Sequence, residues 1–432
     1  MSNNIEQLYN LFLMSTGIST DTRRIQKGNI FIALKGDNFN GNEYAKRALD
    51  AGASYCVIDD RKYKIDERCV VVEDGLRTLQ DLAHHHRKQL VIPIIAICGS
   101  NGKTTTKELT GAVLLSTYPT FVTQGNLNNH IGVPLSLLSI TGKHEIAVIE
   151  IGANHIGETT FLCEIVNPNF GLITNNGKDH LEGYGSIEMV IKGNGEFYDY
   201  IRKNGGHVFV SADQQDLMTM SSDLSRTVYG MQQATIKGKI ETGDFVKVNI
   251  EMPDENELTI NTQLVGDYNF ENIMAAVTIG NYFKVPTHKI KRAIESYLPG
   301  NNRSQLIQRG SNKIIVDCYN ANPSSMELAI KNLVKYNENK ILIMGDMYEL
   351  GSYSADEHKR ILMIASEHKI EHIWTVGEAF KHANDELQLA EKVFRDTKEA
   401  QNFLTNNEIR QSVILLKASR AIGLEQIIDF IK

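Results

Sequence analysis

The sequence predicts an α/β protein built from three units, and three observations carry that expectation. Its 432 residues amount to about three domains of ordinary size. A short apolar run at 94–98 leads into a glycine turn and then a helix-like stretch. From about residue 306 to the end, strand-like and helix-like segments alternate regularly. The units expected are a small α/β unit at 1–92, a central unit with a mostly parallel sheet at 93–305, and a doubly wound, Rossmann-like unit at 306–432.

In the first unit the strand-like runs are 29–34, 55–58 and 69–72, with helical spacing at 43–51 and 75–90. Pro93 marks the boundary. In the second, strands are expected at 93–98, 145–149 and 171–174. Between about 207 and 265 the pattern turns to polar–apolar alternation, as at 245–250, which suggests an antiparallel insertion or edge. In the third, strands are expected at 313–316, 340–344, 372–376 and 412–416, with a helix over 324–336.

Composition narrows the function classes. There are 45 Lys and Arg against 52 Asp and Glu, a net charge of −7. A nucleic-acid binder needs a basic excess to neutralise phosphates, so none is expected as partner. No apolar run approaches the ~18 residues of a membrane helix, and residues 1–12 lack the basic-then-apolar layout of a signal peptide. Five scattered cysteines fit neither a disulfide framework nor a paired-cysteine metal site. A cytoplasmic monomer without membrane insertion is expected.

The strongest motif is Gly99-Ser100-Asn101-Gly102-Lys103-Thr104-Thr105, between the buried strand and a helix with Leu109, Val113 and Leu114. Glycines let backbone N–H groups turn inward around phosphate oxygens. The helix N-terminus adds partial positive charge, Lys103 a full one, and the Thr104 hydroxyl can ligate Mg²⁺. The loop departs from the common eight-residue form because Ile97 holds the outer glycine position. Glu150 ends a strand at a glycine turn, where a metal beside phosphates needs a hard oxygen ligand. By contrast His84, His85 and His86 point about 100° apart on a helix and cannot converge on a metal. They are expected on a solvated face.

The loop Gly99 to Thr106 resembles the ATP loop of the Mur ligases. That resemblance spans the whole chain and implies three domains and one reaction. ATP phosphorylates a carboxylate, and an amine attacks the acyl phosphate. ATP and Mg²⁺ are the implied cofactors. Glu150 resembles the family's magnesium glutamate, and His180, in Asn175-Asn176-Gly177-Lys178-Asp179-His180, its histidine at a second Mg²⁺. Lys103, Glu150 and His180 are the implied catalytic set, and Thr104, Glu150 and His180 the metal ligands. Asn269 resembles the family's adenine asparagine, with Asn272 fixing the turn; Arg303 and Asp317 are expected near the nucleotide. Most relatives place a carbamylated lysine where this chain has Asn194. Lys192 lies two residues away, about 200° round a helix.

Thr20, Asp21, Arg23 and Lys35 resemble the UDP-binding loops of the first domain, although Thr22 and Asn42 depart from the family pattern. Asn126, Asn128 and Asn129 resemble a loop facing the sugar-peptide. Asp317-Cys318-Tyr319-Asn320-Ala321-Asn322-Pro323, with Asp346, Lys417 and Ser419, resembles the branch that adds D-alanyl-D-alanine to UDP-N-acetylmuramoyl-tripeptide in peptidoglycan precursor synthesis. Asn320, Asn322, Asp346, Lys417 and Ser419 are its implied substrate residues. The alternatives are a sibling adding another amino acid and a non-catalytic nucleotide-binding relative.

Overall fold

The computed structural model describes residues 2–241, 243–252, 257–300 and 302–432. Among them three main sheets follow one another along the chain. The first holds β1 (Ile18–Ser19), β2 (Ile30–Ile32), β3 (Tyr55–Ile58) and β4 (Cys69–Val71), all parallel and in chain order. The helix expected over 43–51 is a 3₁₀ turn, Gly41–Tyr44, followed by a short α-helix, Ala45–Asp50. Helix α1 (Gly75–Gln89) then leads to Pro93.

The second sheet has nine strands. They are β5 (Ile94–Cys98), β6 (Thr120–Val122), β7 (Ile146–Glu150), β8 (Phe170–Ile173), β9 (His207–Ser211), β10 (Arg226–Gly230), β11 (Ile236–Glu241), β12 (Lys247–Glu251) and β13 (Glu257–Asn261). Their order is β13-β12-β11-β10-β9-β8-β5-β7-β6. Only β11–β12 and β12–β13 pair antiparallel. The expected antiparallel edge is therefore narrower than 207–265: β9 and β10 extend the parallel core. Strand β12 buries every second residue, whereas β9 is buried along most of its length. Alternation marks a strand with one wet face, and a continuous apolar run marks one covered on both.

Strand β5 shows why such a run is needed. Ile94, Ala96 and Cys98 pack into one core cluster, and Ile95 and Ile97 into another on the opposite face. The layers are completed by α2 (Lys103–Leu115), α3 (Glu158–Val166), α4 (Leu181–Tyr184), α5 (Ile187–Asn204) and α6 (Asn269–Tyr282).

The third sheet runs β14-β15-β19-β16-β17-β18, with β14 (Gln305–Arg309), β15 (Asn312–Asp317), β16 (Asn339–Gly345), β17 (His372–Val376), β18 (Lys392–Phe394) and β19 (Ser412–Lys417). Only β14 is antiparallel to its neighbour. Helices α7 (Pro323–Leu333), α8 (Ser354–Glu367) and α9 (Glu378–Leu387) cover it. One apolar cluster crosses from this sheet to the second unit, joining Leu342 and Met344 to Leu181 and Tyr184. All five cysteines are free and buried. No helix among the described residues is long and apolar enough to cross a membrane.

Glu271, in the first turn of α6, makes the fold pH-dependent. Burial pushes its carboxyl up to about 7; Gln214 pulls it down, while Asp213 and Asp216 push it further up. The Gln214 amide donates to both its oxygens, at 2.8 and 3.0 Å. A carboxyl raised in the folded state binds more protons there than in the unfolded chain. Stability is therefore lost as pH rises from the ordinary value of about 4.5 through about 7. Because the side chain keeps some solvent access, the expected loss is about 2 kcal/mol. Glu271→Gln should flatten the denaturation midpoint between about pH 5 and 8. An unchanged slope would assign the pH dependence to other groups.

Candidate active site

The C-terminal ends of adjacent strands in an open α/β sheet form a ligand crevice. Here β7, β5 and β8 lie side by side, with Glu150 opposite Ile97 and Cys98 opposite Ile173. Their exits are Glu150, the Gly99–Gly102 turn and the segment 174–180. The third sheet adds its own strand ends, since Asp317 of β15 lies opposite Lys417 of β19. Between the second and third units is a cleft of about 510 Å³. It is lined by Ser100, Asn101, Gly102, Lys103, Thr104, Thr105, Asn126, Asn128, Asn129, Glu150, His180, Asn269, Arg303, Asp317, Asn320, Asn322 and Lys417.

Two turn glycines are dictated by close approach. Gly99 has φ +114°, and a Cβ on it would lie 2.4 Å from the Thr174 hydroxyl. Gly102, at φ +81°, would press a Cβ to 2.4 Å from Asn272 Oδ1. Not every loop N–H turns toward the cleft. That of Ser100 donates to the Asn175 carbonyl (2.9 Å), and that of Asn101 to Asn175 Oδ1 (3.1 Å). What remains for a phosphate is the start of α2 at Lys103, Thr104 and Thr105, whose N–H groups have no partner within the helix. The Lys103 ammonium donates to the carbonyls of Gly99 (2.5 Å) and Ser100 (3.1 Å).

Glu150 is 1% exposed. Its Oε1 accepts from the Thr104 hydroxyl at 3.2 Å and from the Asn128 amide at 2.8 Å. Its Oε2 is buried without a hydrogen-bond donor, although the Lys107 ammonium stands 3.6 Å away. A hydroxyl, a carboxylate and an unsatisfied carboxylate oxygen beside a phosphate cradle suit a Mg²⁺ ion, which takes few protein ligands and completes its shell with water and phosphate. Among the described residues no three His, Cys, Asp or Glu side chains cluster for a metal. His180, with φ +47°, lines the same cleft, and its Nδ1 lies 2.6 Å from Glu349 Oε2. That contact holds the Glu349 carboxyl below its usual range.

The amides divide into those facing the cleft freely and those engaged. Asn269 donates to the Val265 carbonyl (2.8 Å) and accepts from Asn272 (2.8 Å), leaving one N–H and one lone pair. Asn272 in turn accepts from Thr106 (2.9 Å). Asn129 Oδ1 takes the backbone N–H groups of Ile131 and Gly132, so it caps a helix as well as lining the cleft. Asn322 caps α7 through Ser325 and donates across the cleft to Asn101 Oδ1 at 2.9 Å. Lys417 pairs with Asp317 at 2.6 Å. The Arg303 guanidinium lies 3.5 Å from the centre of the Tyr319 ring, with its Nε buried and unpartnered.

Other expected residues stand elsewhere. Both Asp346 oxygens accept backbone N–H groups of Ala379 and Phe380, so the carboxylate caps α9 instead of facing the cleft. Ser419, 3% exposed, accepts from the Tyr348 N–H. Thr20, Asp21, Arg23 and Lys35 belong to the first unit, away from this cleft. Arg23 pairs with Asp21 (2.8 Å) and Lys35 with Asp59 (2.8 Å). The three histidines of α1 do not share a solvated face: His86 is buried, holds the Ile140 carbonyl at 2.9 Å and meets the Tyr9 hydroxyl at 3.1 Å. Asn194 is buried and donates to Asn176 Oδ1 (2.8 Å), while Lys192 is exposed. Sequence reasoning missed Glu349, three residues beyond the expected Asp346, and Lys107, whose only signal is its place one turn beyond Lys103.

Three family models cover most of the chain: "Mur ligase family, catalytic domain" at 15–87, "Mur ligase middle domain" at 97–280, and "Mur ligase, glutamate ligase domain" at 302–420. The UDP-N-acetylmuramoyl-tripeptide–D-alanyl-D-alanine ligase of Escherichia coli is 32% identical over 425 residues, covering 95% of this chain and 92% of that protein. The chain belongs to the Mur ligase family. The Bacillus subtilis Mur ligase of the same name is 31% identical, covering 95% and 92% of the two chains. Among solved Mur ligases, MurF from Acinetobacter baumannii superposes with a TM-score of 0.87 at 29% identity, covering 98% of this chain and 97% of that one. Its three-domain α/β architecture is the one described above. MurF from Thermotoga maritima, solved with ADP, shares the fold with a TM-score of 0.85 at 23% identity, covering 97% of each chain.

Proposed function

We propose that this chain joins D-alanyl-D-alanine to UDP-N-acetylmuramoyl-tripeptide at the expense of ATP, releasing ADP and phosphate. The observation that carries the reading is the cleft itself. A phosphate-loop helix with Thr104 and Glu150 in contact faces the Asp317–Asn322 segment of the third unit, and Asn101 and Asn322 hydrogen-bond across it. A carboxylate is a poor electrophile until an oxygen is phosphorylated. The γ-phosphoryl passes to the tripeptide carboxylate as ADP leaves; the dipeptide amine then attacks the acyl carbon, and phosphate leaves with the C–O bond pair.

In this reading α2's first N–H groups and Lys103 hold the transferring phosphoryl group and balance its charge. Mg²⁺, held by Thr104 and Glu150 with His180 at a second site, would supply further neutralisation of the phosphate oxygens. Asn269 and Arg303 face the nucleotide, with Asp317 nearby. Asn126, Asn128 and Asn129 face the sugar-peptide; Thr20, Asp21, Arg23 and Lys35 face the uridine end. Asn320, Asn322 and Lys417 orient the dipeptide, while Asp346 and Ser419 hold the strand ends that carry them. Domain limits at 1–92, 93–305 and 306–432 follow the same division of labour. Five free buried thiols support a cytoplasmic setting, and the reading takes the enzyme as a monomer.

Purified protein with ATP, Mg²⁺, the UDP-tripeptide and D-alanyl-D-alanine should release phosphate and form a product heavier by the dipeptide minus water. Product with a single amino acid would identify a sibling activity, and no turnover with any acceptor would identify a nucleotide-binding relative. Asn194 adds an independent expectation. With no amine at that position to carbamylate, and with Lys192 facing solvent, turnover should not respond to bicarbonate and should survive Lys192→Ala. Bicarbonate rescue of a CO₂-depleted preparation would contradict this.

A further inference from the structure

We propose that Lys107 is a positioning residue whose buried ammonium fastens the 123–134 segment to Glu150, and so preorganises the acceptor side of the cleft. The inference rests on the reading that this segment faces the UDP-linked acceptor. Lys107 follows Lys103 by four residues, so it lies one turn further along α2 on the same side. It is 1% exposed and does not line the cleft. Lysine is almost never buried so completely without a partner.

Its partners explain the burial. The ammonium donates to the Gly125 carbonyl at 3.3 Å and lies 3.6 Å from Glu150 Oε2 and 3.9 Å from Glu108 Oε1. Gly125 and Asn128 belong to one turn of chain. Asn128 holds Glu150 directly through Oε1, while Gly125 is held to it through Lys107. The segment is thus fastened at two points to a single carboxylate. Oε2 accepts no directed hydrogen bond, so what Lys107 brings to Glu150 is charge. A neutral side chain of equal length would fill the slot and still free the Gly125 end, leaving the Asn128 bond to Glu150 in place.

Lys107→Met tests this, with Lys107→Arg as the variant that keeps the charge. Calorimetric titration in EDTA, with neither metal nor turnover, measures UDP-N-acetylmuramoyl-tripeptide and ADP separately. The proposal expects K107M to bind the acceptor about tenfold more weakly while ADP affinity changes less than about threefold, and K107R to recover most of the loss. Equal losses for both ligands, an unchanged acceptor affinity, or no recovery with K107R would each overturn it. Should K107M not fold, K107Q is judged by the same thresholds. Wild-type protein that binds no acceptor would instead overturn the functional reading beneath it.

Discussion

Replacing Lys103 by alanine should stop turnover while leaving the protein folded. The ammonium caps two loop carbonyls, those of Gly99 and Ser100. Each such hydrogen bond contributes only about 1 kcal/mol net, because water replaces it at a partly open site. The catalytic effect is larger. A preorganised charge at the transferring phosphoryl group acts where negative charge develops, and losing one such donor lowers kcat by about 10³. Phosphate release with all substrates present should fall by that factor or more, with a melting temperature within a few degrees of wild type. Near-normal turnover in a folded K103A protein would remove Lys103 from the phosphate site.

Glu150 carries the second large effect, and two substitutions separate its roles. Glu150→Gln keeps the shape and an oxygen beside Lys107 but removes the charge, so turnover should fall by about 10³ and the buried ammonium loses its counter-charge as well. Glu150→Ala takes away that oxygen too, leaving the buried Lys107 ammonium with the Gly125 carbonyl and with Glu108 at 3.9 Å. Removing one partner of a buried pair destabilises strongly, and E150A should lose about 3 kcal/mol of unfolding free energy, read as a lower denaturation midpoint, with E150Q losing less. Equal midpoints for E150A and wild type would mean that the pair does not support the fold. Wild-type turnover in E150Q would show that no metal depends on that charge.

What was legible beforehand follows from physics specific to each element. The strand–turn–helix at 94–115 could be read because an apolar strand covered on both faces, a glycine turn and an amphipathic helix each leave a local pattern. The inner strands of the third sheet could be read for the same reason. Its edges could not: Gln305–Arg309 and Lys392–Phe394 are short, mixed in polarity and defined by what they pair with. Nor does composition tell a capping side chain from one that faces ligand. Asp346 sits where a substrate contact is expected, yet backbone N–H groups claim both its oxygens, while Asn129 serves backbone N–H groups through Oδ1 and still lines the cleft. His86 and Lys107 were missed in the opposite sense. Their polarity suggests solvent, and only tertiary partners far along the chain bury them.

Helix α1 runs up to the boundary expected at Pro93, but the packing does not divide there. Leu79, Leu82 and Ala83 share one apolar cluster with Ile30 and Val57 of the first sheet and with Ile94, Leu137 and Leu162 of the second unit. On the next turn, the Arg87 guanidinium holds the carbonyls of Val166 and Asn167. The first ninety or so residues are therefore no cassette. A chimaera grafting another recognition module at Pro93 would tear a continuous interior and bare the apolar faces of both halves. The workable junction for such an exchange lies on the outer side of α1, after β4, so that the helix stays with the catalytic body it helps to close.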